Sequence, residues 1–382
     1  MKFLRFFAVL AAVVAFGITP AAAEGPVAPL ETTAQQVVLI DAATGTVLFE
    51  KNADQRMPTS SMIKVLTMYL TFDALRSGKL HLDDLVTISE HAWRQEGSRT
   101  FLNLGEKAKV EDLIRGVIVQ SGNDAAVALA ETLGGSEGNF AGMMNAKAQE
   151  LGMTDSHFMN ATGLPDPNHY STARDLARLT LAVLRDHPED YHYYSEIDFT
   201  HNGIKQGNRN PLLYRGIGVD GLKTGHTEAA GFGLIASALR EGRRMILVAN
   251  GMKSMQERAD EPAKILDWGY REFGLYPVAK KGQKFADAKV WLGQAPTVAL
   301  IADRDVALTL PRSARAQLKA SFVYDQPVEA PIALGQPIGK LVVSAPGVTP
   351  VEAVLVAGEA VPRLGFMGRL AAKLRRLMGH QD

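Results

Sequence analysis

Hydrophobic periodicity switches along this chain, and each switch falls at a turn or stop signal. From Gln36, "QVVLIDAATGTVLFEKNADQ" gives two β-prone runs joined at Thr44-Gly45, a hairpin pattern. Residues 110–151 then carry apolar residues at helical spacing in "VEDLIRGVIVQ", "DAAVALAETLGG" and "FAGMMNAKAQELG", each halting near glycine. "STARDLARLTLAVLRDHP" continues as a helix with Thr172 as N-cap, Asp175 three residues on and Pro188 beyond its end. After Gly218 the period shortens again: "GVDGLKTGHT", "GFGLIASALR" and "RRMILVANGM" read as strands, the last two joined at Glu241-Gly242. A closing helix runs through "EPAKILDWGYREFG". Strands at both ends with helices between them predict an α/β (α+β) domain, an antiparallel sheet covered by helices.

Tyr276-Pro277 marks a composition break. Beyond it, runs such as "KVWLG", "VALTLP" and "GKLVVSAPG" are separated by Gly and Pro, the pattern of a small all-β C-terminal domain. That segment has no histidine and no pattern of polar groups resembling a site, so a structural or spacing role is expected. The chain's 382 residues exceed one ordinary core, consistent with two domains.

The two ends differ from both domains. Lys2 and Arg5, the apolar run Phe6 to Ile18 and the small residues Ala21-Ala22-Ala23 form a secretory leader pattern, too short to span a bilayer. The expected boundaries are a leader over 1–23, a first domain over 24–275, the β domain over 276–362 and a tail helix over 363–382. In that tail Phe366, Leu370, Leu374 and Leu377 recur at helical spacing, with Arg369, Lys373, Arg375 and Arg376 on other faces. Such a helix can lie in a membrane interface. Leader and tail together predict an exported protein at the periplasmic face of the inner membrane.

Composition excludes several chemistries. There is no cysteine, which removes thiol catalysis and disulfides, and no His-x-x-x-His pair for a helical zinc site. Balanced charge, 41 basic against 41 acidic residues, gives no support to nucleic-acid binding. Neither metal nor cofactor is expected.

The chemistry gathers in three short stretches. "PTSSMIKVLTMYL" starts a helix that Pro58, Thr59 and Ser60 are expected to cap, and places Ser61 three residues before Lys64 among apolar neighbours. A serine hydroxyl needs a base, and lysine serves only when desolvation or a nearby positive charge keeps it neutral. "QSGND" sets Ser121 and Asn123 at the head of a helix, and "GLKTGHT" sets Lys223, Thr224, Gly225 and His226 on a strand. Ser121 can relay a proton between Lys64 and a leaving amine, while Asn123 can hold Lys64 and a substrate amide. Lys223 offers the second positive charge and attracts a carboxylate, to which Thr224 can donate. Gly225 is expected to let substrate backbone approach the strand. The N–H groups of Ser61 and His226 could form an oxyanion hole.

Ser-x-x-Lys, Ser-x-Asn and Lys-Thr-Gly in this order are the trio of penicillin-binding proteins and class A β-lactamases. With "MNAKAQELGM", "TGLPDPNHYSTARDLARL" and "GLKTGHTEAAGF", nearly the whole chain after the leader resembles low-molecular-mass penicillin-binding proteins of the serine-type D-alanyl-D-alanine carboxypeptidase family. The resemblance implies a β-lactamase/transpeptidase-like fold and removal of the terminal D-alanine from peptidoglycan stem peptides. Ser61 would form the acyl-enzyme, and β-lactam antibiotics would acylate the same serine. It also implies that Arg258, in "QERADEP", stands near the substrate carboxylate.

Three other readings remain at this stage. A β-lactamase needs a group to activate its deacylating water, and no glutamate lies between Asn160 and Leu179. A D,D-endopeptidase would use the same trio; a non-catalytic peptidoglycan-binding scaffold should have lost at least one of Ser61, Lys64 and Lys223. Asp175 reads as a capping residue, His169 and Tyr170 as shaping the loop before it, and His157, His187, His192 and His201 as structural. Trp93 and the stretch from Gly97 to Gly105 are candidates for the cleft border.

Overall fold

The computed structural model describes residues 8–14, 27–346 and 348–377. It divides into two compact units, Pro29–Arg271 and a second made of Met1–Ala28 with Glu272–Asp382.

In Pro29–Arg271 the five strands expected from the alternating runs join one antiparallel sheet. Its order is Val47–Lys51, Gln36–Asp41, Arg243–Met252, Gly231–Arg240, Val219–Thr227. The last of these, the strand carrying Lys223, is therefore an edge. Helices Val110–Ile118, Asn123–Gly134, Glu137–Glu150 and Ala173–Asp186 form where helical spacing predicts them. Thr172 caps the last, its side chain accepting from the Asp175 N–H. The closing helix begins earlier than expected and runs Met255–Glu272, with Pro262 inside it. The core fills the space between sheet and helices, with Met62, Ile63, Leu66, Val117, Ala126, Leu129, Phe140 and Ile246 buried.

The second unit is β-rich, as its short runs predict. A seven-stranded sheet includes Lys284–Trp291, Thr297–Ala302, Lys319–Gln326, Pro337–Ala345 and Val348–Ala357, and Phe273–Ala279 pairs with Val306–Pro311. Tyr276-Pro277 thus lies inside a strand and is no linker; the pairing shifts register just after Pro277, where the missing N–H is tolerated. Ala8–Val14, within the expected leader, runs antiparallel along Lys319–Gln326. The expected processing site at Ala21-Ala22-Ala23 lies outside the described residues. The tail is helical over Phe366–Leu377 and exposes Phe366, Met367, Leu370 and Leu374; Met378 lies outside the described residues. Among the described residues, no helix is long and apolar enough to cross a membrane.

Candidate active site

Ser61 sits in a tight 3-10 turn, Ser60–Ile63, which opens the Lys64–Arg76 helix. The expected side-chain cap is absent. Thr59 turns its hydroxyl to His169 Nε2 at 3.1 Å instead, and Ser60 Oγ donates to the Thr59 carbonyl at 2.7 Å. What seats the turn is long-range packing. The Ser60 carbonyl occupies the space that a side chain at Gly163 would need, a Cβ there falling 1.9 Å from it, and Gly163 has φ +82°. Glycine is required at that position on both counts.

Lys64 is completely buried. Its Nζ lies 2.9 Å from Ser61 Oγ, 2.7 Å from Asn123 Oδ1 and 2.7 Å from the Thr162 carbonyl. Burial first, then the charge of Arg209, brings its pKa down to about 7, against opposing pulls from Asp124 and Glu137. A neutral amine has two hydrogens. Asn123 Oδ1 and the Thr162 carbonyl are fixed acceptors for both, which leaves the lone pair for the Ser61 hydroxyl.

Ser121 is buried, with φ +60°, in the turn just before the Asn123–Gly134 helix. Asn123 is anchored at three points. Its N–H donates to the Ser98 carbonyl at 2.7 Å, its Nδ2 donates to the Glu96 carbonyl at 2.5 Å, and its Oδ1 accepts from Lys64. The next residue, Asp124, is fully buried and accepts from the backbone N–H groups of Thr100, Leu102 and Ala125, so it shapes the same loop. The stretch from Gly97 to Gly105 therefore borders the site.

On the edge strand, Lys223 and Thr224 are buried and His226 is exposed. Burial, together with the charges of Lys64, Arg209 and Arg258, holds the Lys223 ammonium well below the ordinary lysine range. Arg258 is brought to this group, with its guanidinium 5.3 Å from the Phe232 ring, while the His226 ring lies 4.0 Å from the same ring. Gly225 has a reason other than substrate approach. A Cβ there would lie 2.1 Å from Ser60 Oγ and 3.1 Å from Met62 Cγ, so the glycine gives room to the turn that holds Ser61.

The expected residues Ser61, Lys64, Asn123, Lys223 and Arg258 are thus linked by contact or by field, with Ser121 beside Asn123 in the chain and Thr224, Gly225 and His226 on the Lys223 strand. Arg209 was not legible. It follows the Asp198–Gly207 hairpin, donates to Ser98 Oγ, and bears on Lys64, Lys223 and Arg258. Only its place in "GNRNPL", a turn-rich stretch, was available as a signal. Thr162, acting through its carbonyl, was also invisible, since backbone acceptors have no residue signature. The cap is Thr172, which accepts from the Asp175 N–H, and the Asp175 side chain, expected to cap, serves elsewhere. Its carboxylate accepts from Asp155 N–H, Ser156 Oγ and Arg178, tying the helix to the preceding loop. His201 also has a partner, Glu106 at 2.9 Å.

The arrangement is a serine hydroxyl, an adjacent buried amine, and the guanidinium groups of Arg209 and Arg258 beside Lys223, a set suited to a carboxylate. Among the described residues no cluster of His, Asp or Glu could hold a metal ion. A family model described as D-alanyl-D-alanine carboxypeptidase matches residues 22–254, and one for the penicillin-binding protein 5 C-terminal domain matches residues 273–363. The D-alanyl-D-alanine carboxypeptidase DacA of Haemophilus influenzae is 39% identical over 373 residues, 96% of this chain and 95% of that protein. DacC of Escherichia coli is 39% identical over 363 residues, 93% and 91% of the two chains. The crystal structure of penicillin binding protein 5 from Haemophilus influenzae superposes with TM-score 0.82 at 41% identity, covering 88% of this chain and all of that one (100%). Penicillin-binding protein D2 from Listeria monocytogenes, solved in its ampicillin-bound form, matches with TM-score 0.59 at 30% identity, over 64% and 99% of the chains.

Proposed function

Because the chain belongs to the serine D-alanyl-D-alanine carboxypeptidase family, we propose that Ser61 is its nucleophile and Lys64 the base, acting on the D-Ala-D-Ala end of peptidoglycan stem peptides. The observation that carries this reading is the buried Lys64 amine, 2.9 Å from Ser61 Oγ with two further acceptors for its hydrogens.

The substrate's terminal carboxylate docks among Lys223, Thr224, Arg209 and Arg258. Its negative charge offsets that of Arg209, which together with burial depresses Lys64, so docking makes Lys64 a stronger base as the scissile carbonyl reaches Ser61. Ser61 Oγ attacks that carbonyl and Lys64 takes the hydroxyl proton. The N–H groups of Ser61 and His226 receive the oxyanion. Ser121 passes the proton to the departing amine of D-alanine as the C–N bond breaks. Water then attacks the ester and releases the shortened peptide. β-Lactams, which resemble the same dipeptide end, acylate Ser61 by the same steps.

The reading extends to location. The leader directs export and is removed before Glu24, and the exposed apolar side chains of Phe366, Met367, Leu370 and Leu374 enter the outer leaflet of the inner membrane from the periplasm. The N-terminus of the exported protein, read by mass spectrometry, checks the first point.

The test of the activity is mass spectrometry after incubation with benzylpenicillin and, separately, a D-Ala-D-Ala pentapeptide. A penicilloyl adduct on Ser61 with loss of one alanine from the peptide is expected. An adduct that clears quickly while the peptide stays intact would point to a β-lactamase. Absence of both would leave a binding scaffold.

A further inference from the structure

One wall of the site is assembled from two segments about a hundred residues apart. The first, Glu96–Glu106, supplies the Glu96 and Ser98 carbonyls that hold Asn123 and the Ser98 hydroxyl that receives Arg209. The second is the hairpin Asp198–His201 with Ile204–Gly207, which leads directly into Arg209. The seam between them is polar. Gln206 Nε2 donates to the Arg99 carbonyl at 3.2 Å, and Asn202 Nδ2 donates to the Phe101 carbonyl at 3.1 Å. Glu106 closes it: Oε1 lies 2.9 Å from His201 Nε2, and Oε2 accepts from Asn202 Nδ2 at 3.0 Å and the Asn103 N–H at 2.8 Å. Both partners are mostly shielded, His201 at 8% and the Glu106 side chain at 19% exposure.

We propose that Glu106 and His201 are positioning residues for the reaction, fastening the hairpin to the loop so that Arg209 stays on Ser98 and the Glu96 and Ser98 carbonyls stay on Asn123. Neither touches the substrate. The consequence reaches the base because Arg209 is the leading positive charge that lowers Lys64, working against Asp124 and Glu137. Asn123 is one of the two acceptors that orient the Lys64 amine, with the Thr162 carbonyl. An unfastened hairpin lets Arg209 turn toward water, so Lys64 holds its proton to higher pH and the carboxylate pocket loses a cation.

The inference rests on Ser61 and Lys64 as nucleophile and base, and its test keeps the two apart. Glu106→Ala, Glu106→Gln and His201→Phe are prepared in the full chain. Benzylpenicillin titration counts sites competent for acylation, and kcat/KM for the pentapeptide is followed against pH. Wild-type protein that fails to label Ser61 overturns the assignment beneath. With labelling intact, Glu106→Ala is expected to lower kcat/KM per titrated site by about 10- to 100-fold at pH 7, chiefly through KM. The acid limb should move up by about half a pH unit or more. Glu106→Gln, which keeps an acceptor for Asn202, and His201→Phe should show smaller shifts in the same direction, so the inference stays testable if the alanine variant fails to fold. A fall in titratable sites with the acid limb unmoved, or profiles matching wild type in all folded variants, overturns it.

Discussion

The unit Pro29–Arg271 buries Lys64, Asp124, Asp175 and Lys223 along with many uncharged polar side chains, whereas among the described residues of Glu272–Asp382 the buried polar group is Thr309. Apolar burial is the ordinary solution for a small β unit, and its interior of Val298, Leu300, Leu308, Val343 and Leu355 follows that solution. A charged group in the interior costs several kcal/mol unless it is paired or neutralised. In the first unit the cost is met in three ways, the first being ion pairs, Asp41 with Arg243 and Asp175 with Arg178. Asp124 is satisfied by backbone N–H groups. Lys64 instead has its pKa brought down to about 7, which is what the proposed role as base requires. Burial of ionisable groups, each at a cost the fold must meet, separates the unit that carries the candidate site from the one that does not.

The sharpest way to break this contrast is Lys64→Ala. Acylation by benzylpenicillin, followed in stopped flow, should fall by about 10³-fold or more, in the upper range for loss of a positioned base. The thermal midpoint should hold within a few degrees, because a desolvated amine leaves with the lost packing. In the wild-type protein kcat/KM should decline below pH of about 7, where Lys64 takes up its proton and can no longer accept one from Ser61. A limb in the ordinary carboxylate range would remove lysine as the base.

Gly225→Ala asks whether that glycine serves substrate or nucleophile. Its new Cβ would meet Ser60 Oγ and Met62, so acylation even by a small β-lactam should drop by about 100-fold, as expected of a nucleophile displaced by about an ångström. Normal acylation with only the pentapeptide impaired would return the glycine to substrate approach. The smallest effect on chemistry is expected from the second unit. If the tail is the proposed membrane anchor, deleting residues 363–382 should abolish sedimentation with anionic vesicles and leave kcat/KM within about twofold of the full chain. A truncated protein that still sediments would reject the anchor.

What was legible followed from distance along the chain. The hairpin, the four helices between Val110 and Asp186, the three strands after Gly218 and the Thr172 cap depend on periodicity and on neighbours within four residues, and they form as expected. The cap expected before Ser61 failed because Thr59 found His169, 110 residues away, in place of the adjacent backbone. Trp93 and the stretch from Gly97 to Gly105 could be suspected as a border, but the hold of this region on Asn123 could not be read. The carbonyls of Glu96 and Ser98 carry no residue signature, and the Glu106–His201 pair spans 95 positions.

By itself the sequence determined the local elements, the second unit's β character and the inventory of groups able to do the reaction. A serine three residues before a lysine sets both side chains within reach through helical geometry alone. Only the tertiary structure decided that this lysine gives up its proton at a pH of about 7. Desolvation and field sum over everything that surrounds the amine, and here its surroundings are the Thr162 carbonyl, Asn123 and Arg209, which only the folded chain brings together.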